Sequence, residues 1–427
     1  MSDSQHQFYL HTLGCPKNQV DSDKISGTLV DDGLIATDDA SSADLVVVNT
    51  CAFIEEAREE SINAVLALER TKRPDARLVI TGCMAERYGD QLADALPEVD
   101  SVVGFGVPVN VTRKPLGLNT TAEPPTSKFD LLNLRRPASS LPWAYVKIAE
   151  GCDRRCGFCA IPSFRGPQNS REVDSILREI DELDVREIVL VAQDLASYGA
   201  DRGRRGSIVS LVDEVAKRVD RVRLLYLYPS DLTDELVTAV LSTGMPYFDL
   251  SLQHVAKAHL RRMRRWGDGQ RFIDRINQIR HEAQDATFRS NFIVGYPGET
   301  EDDQAELLAW LREAQLDWCG LFPYSREEGT YAADLPDQVS AELISERHVE
   351  LSELQDAITA TRRDQLIGST IEVLVDEPGI GRSHREAPEI DGVVKVPQTL
   401  EPRGIYNVHV TGSDGLDLEA ELGGIRQ

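Results

Sequence analysis

Residues 150–166 read Glu150-Gly-Cys-Asp-Arg-Arg-Cys-Gly-Phe-Cys-Ala-Ile-Pro-Ser-Phe-Arg-Gly166 and carry Cys152, Cys156 and Cys159 in the spacing Cys-x-x-x-Cys-x-x-Cys. Thiolates are soft ligands, and at this density they select zinc, copper(I) or an iron–sulfur cluster. A closed zinc site wants four protein ligands, yet the next Cys or His in the chain is His254. A cubane cluster also has four metal corners, so three cysteines leave one iron open to an outside molecule. The plainer alternative is a zinc knuckle, or a structural cluster that borrows a distant ligand.

The same stretch resembles the signature of the radical S-adenosylmethionine (SAM) enzymes, including Phe158, the aromatic just before the third cysteine. The resemblance implies that SAM chelates the open iron. An electron from the cluster then splits SAM, and the 5′-deoxyadenosyl radical takes hydrogen from an unactivated carbon. The cofactor supplies the chemistry, and the protein supplies position and dryness.

The chain has 427 residues, too many for one ordinary core, so two to four domains are expected. Its N-terminus is polar, with no apolar signal region and no run long enough to span a bilayer, which points to the cytoplasm. Seven cysteines is an odd count, six of them fall into two triplets, and in a reducing compartment that favours metal ligation over disulfides. Acidic residues outnumber basic ones 71 to 46, a net charge of −25. A general nucleic-acid binder needs the opposite balance, so a basic macromolecular partner fits better than naked RNA.

Residues 1 to about 110 repeat one arrangement three times. Phe8–Cys15, Asp44–Cys51 and Arg77–Cys83 are apolar runs that each end in cysteine, and Val20–Asp32 and Ile54–Thr71 between them are helix-compatible. This predicts βαβ units with Cys15, Cys51 and Cys83 at the carboxyl rim of one parallel sheet, where open α/β sheets bind ligands. Independent buried structural cysteines are the alternative; the shared strand-end position favours a second cluster site. An N-terminal three-cysteine domain ahead of a radical SAM core resembles the methylthiotransferase family, in which the second cluster holds the incoming sulfur.

From about Asn110 to Pro142 the pattern dissolves into Pro, Thr, Asn and Ser and reads as a connector. From 141 onward six strand-like runs alternate with amphipathic helices, and the resemblance implies a partial (β/α)6 barrel with functional residues at the carboxyl ends of its strands. Polar candidates there are Gln193, Ser251, Gln253, Arg289 and the turn beginning at Gly295. With Phe158 they are the expected cofactor-binding residues, since the carboxylate of SAM wants a cationic or amide partner. His254 reads as a hydrogen-bonded structural residue, Cys319 as a small buried hydrophobe, and Arg261–Arg265 as a basic family pattern rather than a phosphate site. Ser340 should cap a long helix running to about Ile367.

The last sixty residues switch to short strands and resemble a TRAM domain, a small antiparallel β-barrel. From Glu372 onward they hold eleven acidic and five basic residues, net −6, which suits a basic protein better than phosphate. The expected architecture is therefore α/β throughout the first two domains. A parallel-sheet domain covers 1–115 and a linker 116–140, followed by a radical SAM core at 141–366 and a TRAM-like barrel at 367–427.

Two stretches separate the family's branches. Leu13-Gly-Cys-Pro-Lys-Asn-Gln-Val-Asp-Ser22 and Gly381-Arg-Ser-His-Arg-Glu-Ala-Pro-Glu-Ile-Asp-Gly392 resemble the branch that acts on a ribosomal protein, whereas the transfer-RNA branch typically has Gln-Met after the first cysteine. Ser251 and Trp266 depart from the family, standing where proline is common. The resemblance implies two 4Fe–4S clusters, on Cys15/Cys51/Cys83 and Cys152/Cys156/Cys159, plus SAM. It implies methylthiolation of an aspartate β-carbon in the twelfth small-subunit ribosomal protein, free or in the ribosome, with an electron donor such as flavodoxin or ferredoxin. No side-chain acid or base is demanded. Methylthiolation of a tRNA adenosine and a plain iron–sulfur electron carrier or sensor are the alternatives.

Overall fold

The computed structural model describes residues 6–109 and 130–423. The first domain is a five-stranded sheet in the order β2-β1-β3-β4-β5, parallel throughout. Its elements are β1 (Gln7–Thr12), α1 (Pro16–Asp31), β2 (Ile35–Ala36), β3 (Leu45–Thr50), α2 (Glu55–Thr71), β4 (Arg77–Gly82), α3 (Cys83–Ala95) and β5 (Ser101–Val102). The sheet is parallel because its central strands are apolar on both faces: Leu45, Val46, Val47 and Val48 of β3 are fully buried. Each such side chain contributes about 1.5–3 kcal/mol. Helix α1 starts four residues earlier than expected, with Pro16 at its first position, where a missing N–H costs nothing.

The second domain alternates β6 (Trp143–Lys147), a two-residue ladder of β7 (Ala149–Glu150) and β8 (Asn169–Ser170) around α4 (Ile161–Arg165), then α5 (Val173–Leu183) and β9 (Glu187–Val191). It continues through α6 (Ser207–Ala216), β10 (Arg221–Leu224), α7 (Asp234–Ser242), β11 (Tyr247–Gln253), α8 (Lys257–Arg262), α9 (Gly269–Glu282), β12 (Thr287–Val294), α10 (Glu301–Ala314) and β13 (Trp318–Pro323). The parallel ladders β6-β9-β10 and β11-β12-β13 meet through a single parallel bridge, Leu227 to Leu250. Six strands therefore curl into a partial barrel, with β6 and β13 at its open sides. Alternate residues face outward onto the helices (Ala144, Val146, Ile188, Leu190, Phe288) and inward (Trp143, Tyr145, Val189, Tyr247, Trp318).

The long helix α11 (Ala341–Asp364) is capped as expected, Ser340 Oγ accepting from the Leu343 amide at 3.3 Å. Its buried residues Ile344, Arg347, Leu351, Gln355, Ile358 and Thr359 recur at helical spacing and cover β13. The last domain is a closed barrel of β14 (Thr370–Glu377), β15 (Ile380–Arg382), β16 (Val394–Lys395), β17 (Ile405–Asp414) and β18 (Asp417–Leu422). One pair departs from the expected antiparallel pattern, since β16 and β18 run parallel.

The segment Arg382–Asp391, which runs from the end of β15 toward β16 of the last domain, closes the floor of the SAM barrel. Trp318 Nε1 donates to Arg385 O at 2.6 Å, Tyr145 Oη to Pro388 O at 2.7 Å, and Tyr247 Oη to Asp391 Oδ2 at 2.6 Å. Beneath them Arg382 and Arg223 share the fully buried Glu187 at 3.0 and 2.9 Å. Of the expected linker, 116–129 lies outside the described residues. Its end is packed rather than loose: Leu131 and Leu132 are buried, and Lys24 Nζ donates to Leu132 O at 2.5 Å. No helix among the described residues is long and apolar enough to cross a membrane.

Candidate active site

Cys15 is the N-cap of α1, Cys83 the first residue of α3, and Cys51 directly follows β3. Because β1, β3 and β4 are neighbours in the sheet, three cysteines far apart in sequence share one rim. Gly14 (φ +96°) makes the close approach possible, since a Cβ there would lie 2.9 Å from Cys51 Cβ. Burial raises the Cys51 thiol to about 12 and raises Cys83 as well. At Cys15 the effect of burial is overcome by the Lys17 ammonium, then by Arg165 and by the amides at the helix start, and the thiol is held below its ordinary range.

The other triplet sits above the barrel. Glycine 157 pins its loop at both ends of one residue, its N–H donating to Met263 O and its carbonyl accepting from Ala332 N–H, each at 2.8 Å. Burial raises Cys152 to about 11 and Cys159 to about 12. Arg265 Nη1 reaches Cys156 Sγ at 3.4 Å. The Arg265 and Arg154 guanidiniums both lie over the Tyr228 ring, 4.0 and 3.8 Å from its centroid. Arg154 is fixed in turn by Asp194 at 2.6 Å and by Asp231.

One charge network joins the two triplets. Arg165, at the end of α4, donates to Cys83 Sγ at 3.0 Å, Asn18 Oδ1 at 2.7 Å, Asp21 Oδ2 at 3.1 Å and both Glu150 oxygens at 2.9 and 3.0 Å. Lys147 completes it, bonding Asp21 and, at 2.7 Å, Glu150. Glu150 opens the cysteine loop, so a ligand of one triplet and the base of the other are held by one guanidinium. On the far side of the barrel opening, Glu327 accepts from Arg58 of α2 and Arg87 of α3 at 2.6 Å each. The sheet domain is thus tied to β6 and to the loop after β13, the two sides of the open seam.

All seven cysteines are free. Among the described residues the group of ligand atoms within 4.8 Å of one another is His254, His259 and Glu299, not either cysteine triplet. A tetrahedral zinc site would draw its sulfurs closer than that, so the wider triplets suit a multi-iron cluster. Buried thiols whose ionisation is opposed by their surroundings are also groups whose charge a bound cation compensates. The residues fit two clusters, one per triplet. The histidine group does not fit a metal. His254 Nδ1 accepts the Ala256 amide at 3.1 Å, which leaves its proton on Nε2, and burial lowers the ring to about 3. Glu299 is taken by Arg347 at 3.0 Å and the Gly295 amide at 2.9 Å. His254 is structural, as its sequence position suggested.

The expected cofactor-binding residues divide. Phe158 packs beside Met263, Ile293 and Tyr296 next to the cysteine loop. Gln193 donates to Glu150 Oε1 at 2.6 Å and leaves its own Oε1 without a partner. Ser251 offers its carbonyl to Arg265, the residue on Cys156. Gln253 ends β11 at φ +73°, beside a register shift, a strained backbone of the kind found at working sites. These four lie at the barrel mouth. Arg289 does not. It is the third residue of β12, and its guanidinium pairs with Asp391 at 2.7 Å and faces Asp249 at 3.8 Å, so it secures the barrel floor. Gly295 follows β12 at φ +81°. A Cβ there would lie 2.2 Å from Ile344 Cγ1, so the glycine serves the packing of α11, and its amide is spent on Glu299. Cys319 is removed from both triplets in role, its thiol raised to about 12 by burial.

Sequence reasoning gave no site role to Asp21, Glu150, Arg165, Tyr226 and Tyr228, and read Arg265 only as part of a basic family pattern. The signal was charge: Asp21, Glu150 and Arg165 are ionisable residues inside the cysteine-bearing stretches.

Residues 7–104 match the uncharacterized protein family UPF0004, 146–311 the radical SAM superfamily and 367–422 the TRAM domain. Ribosomal protein uS12 methylthiotransferase RimO of Streptomyces coelicolor is 40% identical over 96% of this chain and 96% of its own. The chain belongs to the RimO family of radical SAM methylthiotransferases. The RimO protein of Moorella thermoacetica is likewise 40% identical, over 93% of this chain and 96% of its own. The radical SAM methyltransferase TsrM of Kitasatospora setae shares the fold, with a TM-score of 0.55 at 16% identity over 74% of this chain and 73% of that one. Two 4Fe–4S clusters and SAM are the cofactors of a RimO-type methylthiotransferase, and the two triplets are the groups here that fit them.

Proposed function

We propose that this protein methylthiolates the β-carbon of an aspartate in ribosomal protein uS12, in the cytoplasm, with electrons from a flavodoxin- or ferredoxin-type donor. The observation that carries the reading is the Arg165 network, which holds two three-cysteine sites against one barrel mouth. In this reading Cys152, Cys156 and Cys159 ligate the cluster that binds SAM, and Cys15, Cys51 and Cys83 ligate the sulfur-carrying one. The bound cofactors supply the one-electron chemistry and the methylthio group. The chain's own residues do the rest. Arg265 donates to Cys156 and is stacked on Tyr228, which fixes that thiolate's orientation. The starts of α1 and α3 present their positive ends to Cys15 and Cys83 and stabilise negative charge on them. Gln193, with a free carbonyl oxygen, and Gln253 offer amide groups for the amino-acid end of SAM. Tyr145, Tyr247, Trp318 and the Arg382–Asp391 segment close the floor and keep water from below.

The acidic last domain is the surface for the basic ribosomal protein, free or assembled. The test is mass spectrometry of uS12 peptides and of digested tRNA from cells with and without this gene. Loss of the methylthio group from the peptide alone supports the reading. Loss from the tRNA nucleoside alone refutes it in favour of the adenosine substrate, and failure of the purified protein to form 5′-deoxyadenosine refutes it in favour of an electron carrier.

A further inference from the structure

Lys17 lies in the first turn of α1, two residues from Cys15, and is 9% exposed. Its ammonium sits 3.4 Å from the centroid of the Tyr226 ring, and among the described residues it makes neither a hydrogen bond nor an ion pair. An ammonium over an aromatic face with no acceptor in reach keeps its donors for a ligand, because the ring offsets a fraction of the hydration lost. Among the described residues no carboxylate lies within ion-pair distance of Lys17. Asp21 is held by Lys147 and Arg165, while Asp249 accepts the Tyr226 amide at 2.9 Å and faces Arg289. Lys17 acts by its charge on Asp249, whose Oδ1 has no hydrogen-bond partner among the described residues, but from beyond ion-pair distance.

Its position is as telling as its charge. Tyr226 has φ +65°, a rare conformation for a bulky residue, and it turns its ring under Lys17. Two residues on, Tyr228 carries Arg265, which touches Cys156. One short segment after β10 therefore runs from the ammonium beside the first triplet to the arginine on the second. A group bound at Lys17 lies between the two cysteine sites.

Resting on the uS12 reading, we propose that Lys17 binds the side-chain carboxylate of the substrate aspartate and thereby places its β-carbon between the two cysteine triplets. The carboxylate carbon is bonded directly to the reacting carbon, so an ion pair there fixes the hydrogen to be removed. An adenosine base has no anion next to its reacting carbon and gains nothing from this lysine. Lys17 is in this sense a specificity-determining residue.

The test uses the full chain with both clusters reconstituted, SAM present and reductant omitted, so that binding is read without turnover. A uS12 peptide with the target aspartate is compared with its asparagine counterpart by fluorescence anisotropy. The wild-type protein is expected to prefer aspartate by about tenfold or more, the scale of a charge-assisted hydrogen bond. Lys17→Met is expected to bind both peptides alike, with iron content and, in a separately reduced sample, EPR signals as in the wild type, and Lys17→Arg to keep part of the preference. A Lys17→Met protein that still prefers aspartate overturns the assignment alone. So does one whose EPR signal shifts while its preference stays, since that makes Lys17 a cluster-positioning residue. Equal binding of the two peptides by the wild type overturns it without any variant. A wild-type protein that binds neither peptide overturns this inference, while the uS12 reading itself falls only if uS12 in cells lacking the gene keeps its methylthio group.

Discussion

Replacing Arg165 with methionine removes one guanidinium from five contacts and leaves Asp21 and Glu150 facing Lys147 alone. Asp21 is 1% exposed and Glu150 22%, so one negative charge becomes uncompensated in a poorly hydrated place. Breaking a buried pair in this way costs about 3–5 kcal/mol. The pH dependence gives a second reading. Burial favours the neutral Glu150 carboxyl, but Arg165 first and then Lys147 bring it to about 2. Against an ordinary value of 4.5 that is worth about 3 kcal/mol, trimmed to about 2 by its partial exposure. The folded value lies below the unfolded one. The contribution is therefore complete above pH 4.5 and is lost as pH falls from 4.5 toward 2. In Arg165→Met the folded value climbs, and the acid loss begins at higher pH. Urea titration of the cluster-loaded protein under anaerobic conditions, followed by tryptophan emission, should show a midpoint lower by about 1 M or more. Midpoints are compared rather than one unfolding free energy, because a multidomain chain is not two-state. Adding Asp21→Asn restores one cation to one anion and should recover about half of the loss, again on the scale of a buried pair. An unchanged midpoint, or an Asp21→Asn that adds to the damage, would refute the network.

Three further outcomes follow from the site and the floor. Cys15→Ala should lose about half its iron and all methylthio product while still forming 5′-deoxyadenosine, whereas Cys156→Ala loses the nucleoside as well; iron assay and chromatography separate the two. Gln253→Gly relieves a φ of +73° and should leave stability equal or higher by about 1 kcal/mol while weakening SAM binding. Unchanged SAM affinity would remove Gln253 from the cofactor site. Glu386→Gln leaves Arg363 buried without its carboxylate, and with it the Ser383 N–H and Oγ contacts at 2.8 and 2.6 Å are weakened. The expected cost is about 3–5 kcal/mol, read as a lower thermal midpoint and faster proteolysis near residue 367. A change below about 1 kcal/mol would mean that the last domain is held by other contacts.

Much of this protein is local. The spacing of Cys152, Cys156 and Cys159 and the apolar runs ending in Cys15, Cys51 and Cys83 are properties of short stretches. So are the six strand–helix repeats and the Ser340 cap, because periodicity, strand ends and caps depend on neighbours within a few residues. The sequence by itself therefore determined the three units, the two triplets and the chemistry they admit. It did not determine which polar residue works and which one braces. Gln193 just follows barrel strand β9 and Arg289 lies on β12, and both are suited to a carboxylate. Only the pairing of Arg289 with Asp391, 102 residues away, assigns it to the floor. Gly295 looked like a ligand-side turn until Ile344 of α11 was seen to occupy the space its side chain would take. Arg165 and Lys17 stand in motifs that the sequence singled out, but their roles were not legible there, since what matters is which anions are spent nearby and which are not. That is a sum over residues from three elements, Coulomb energy in a poorly hydrated interior, and it exists only once the chain has brought them together.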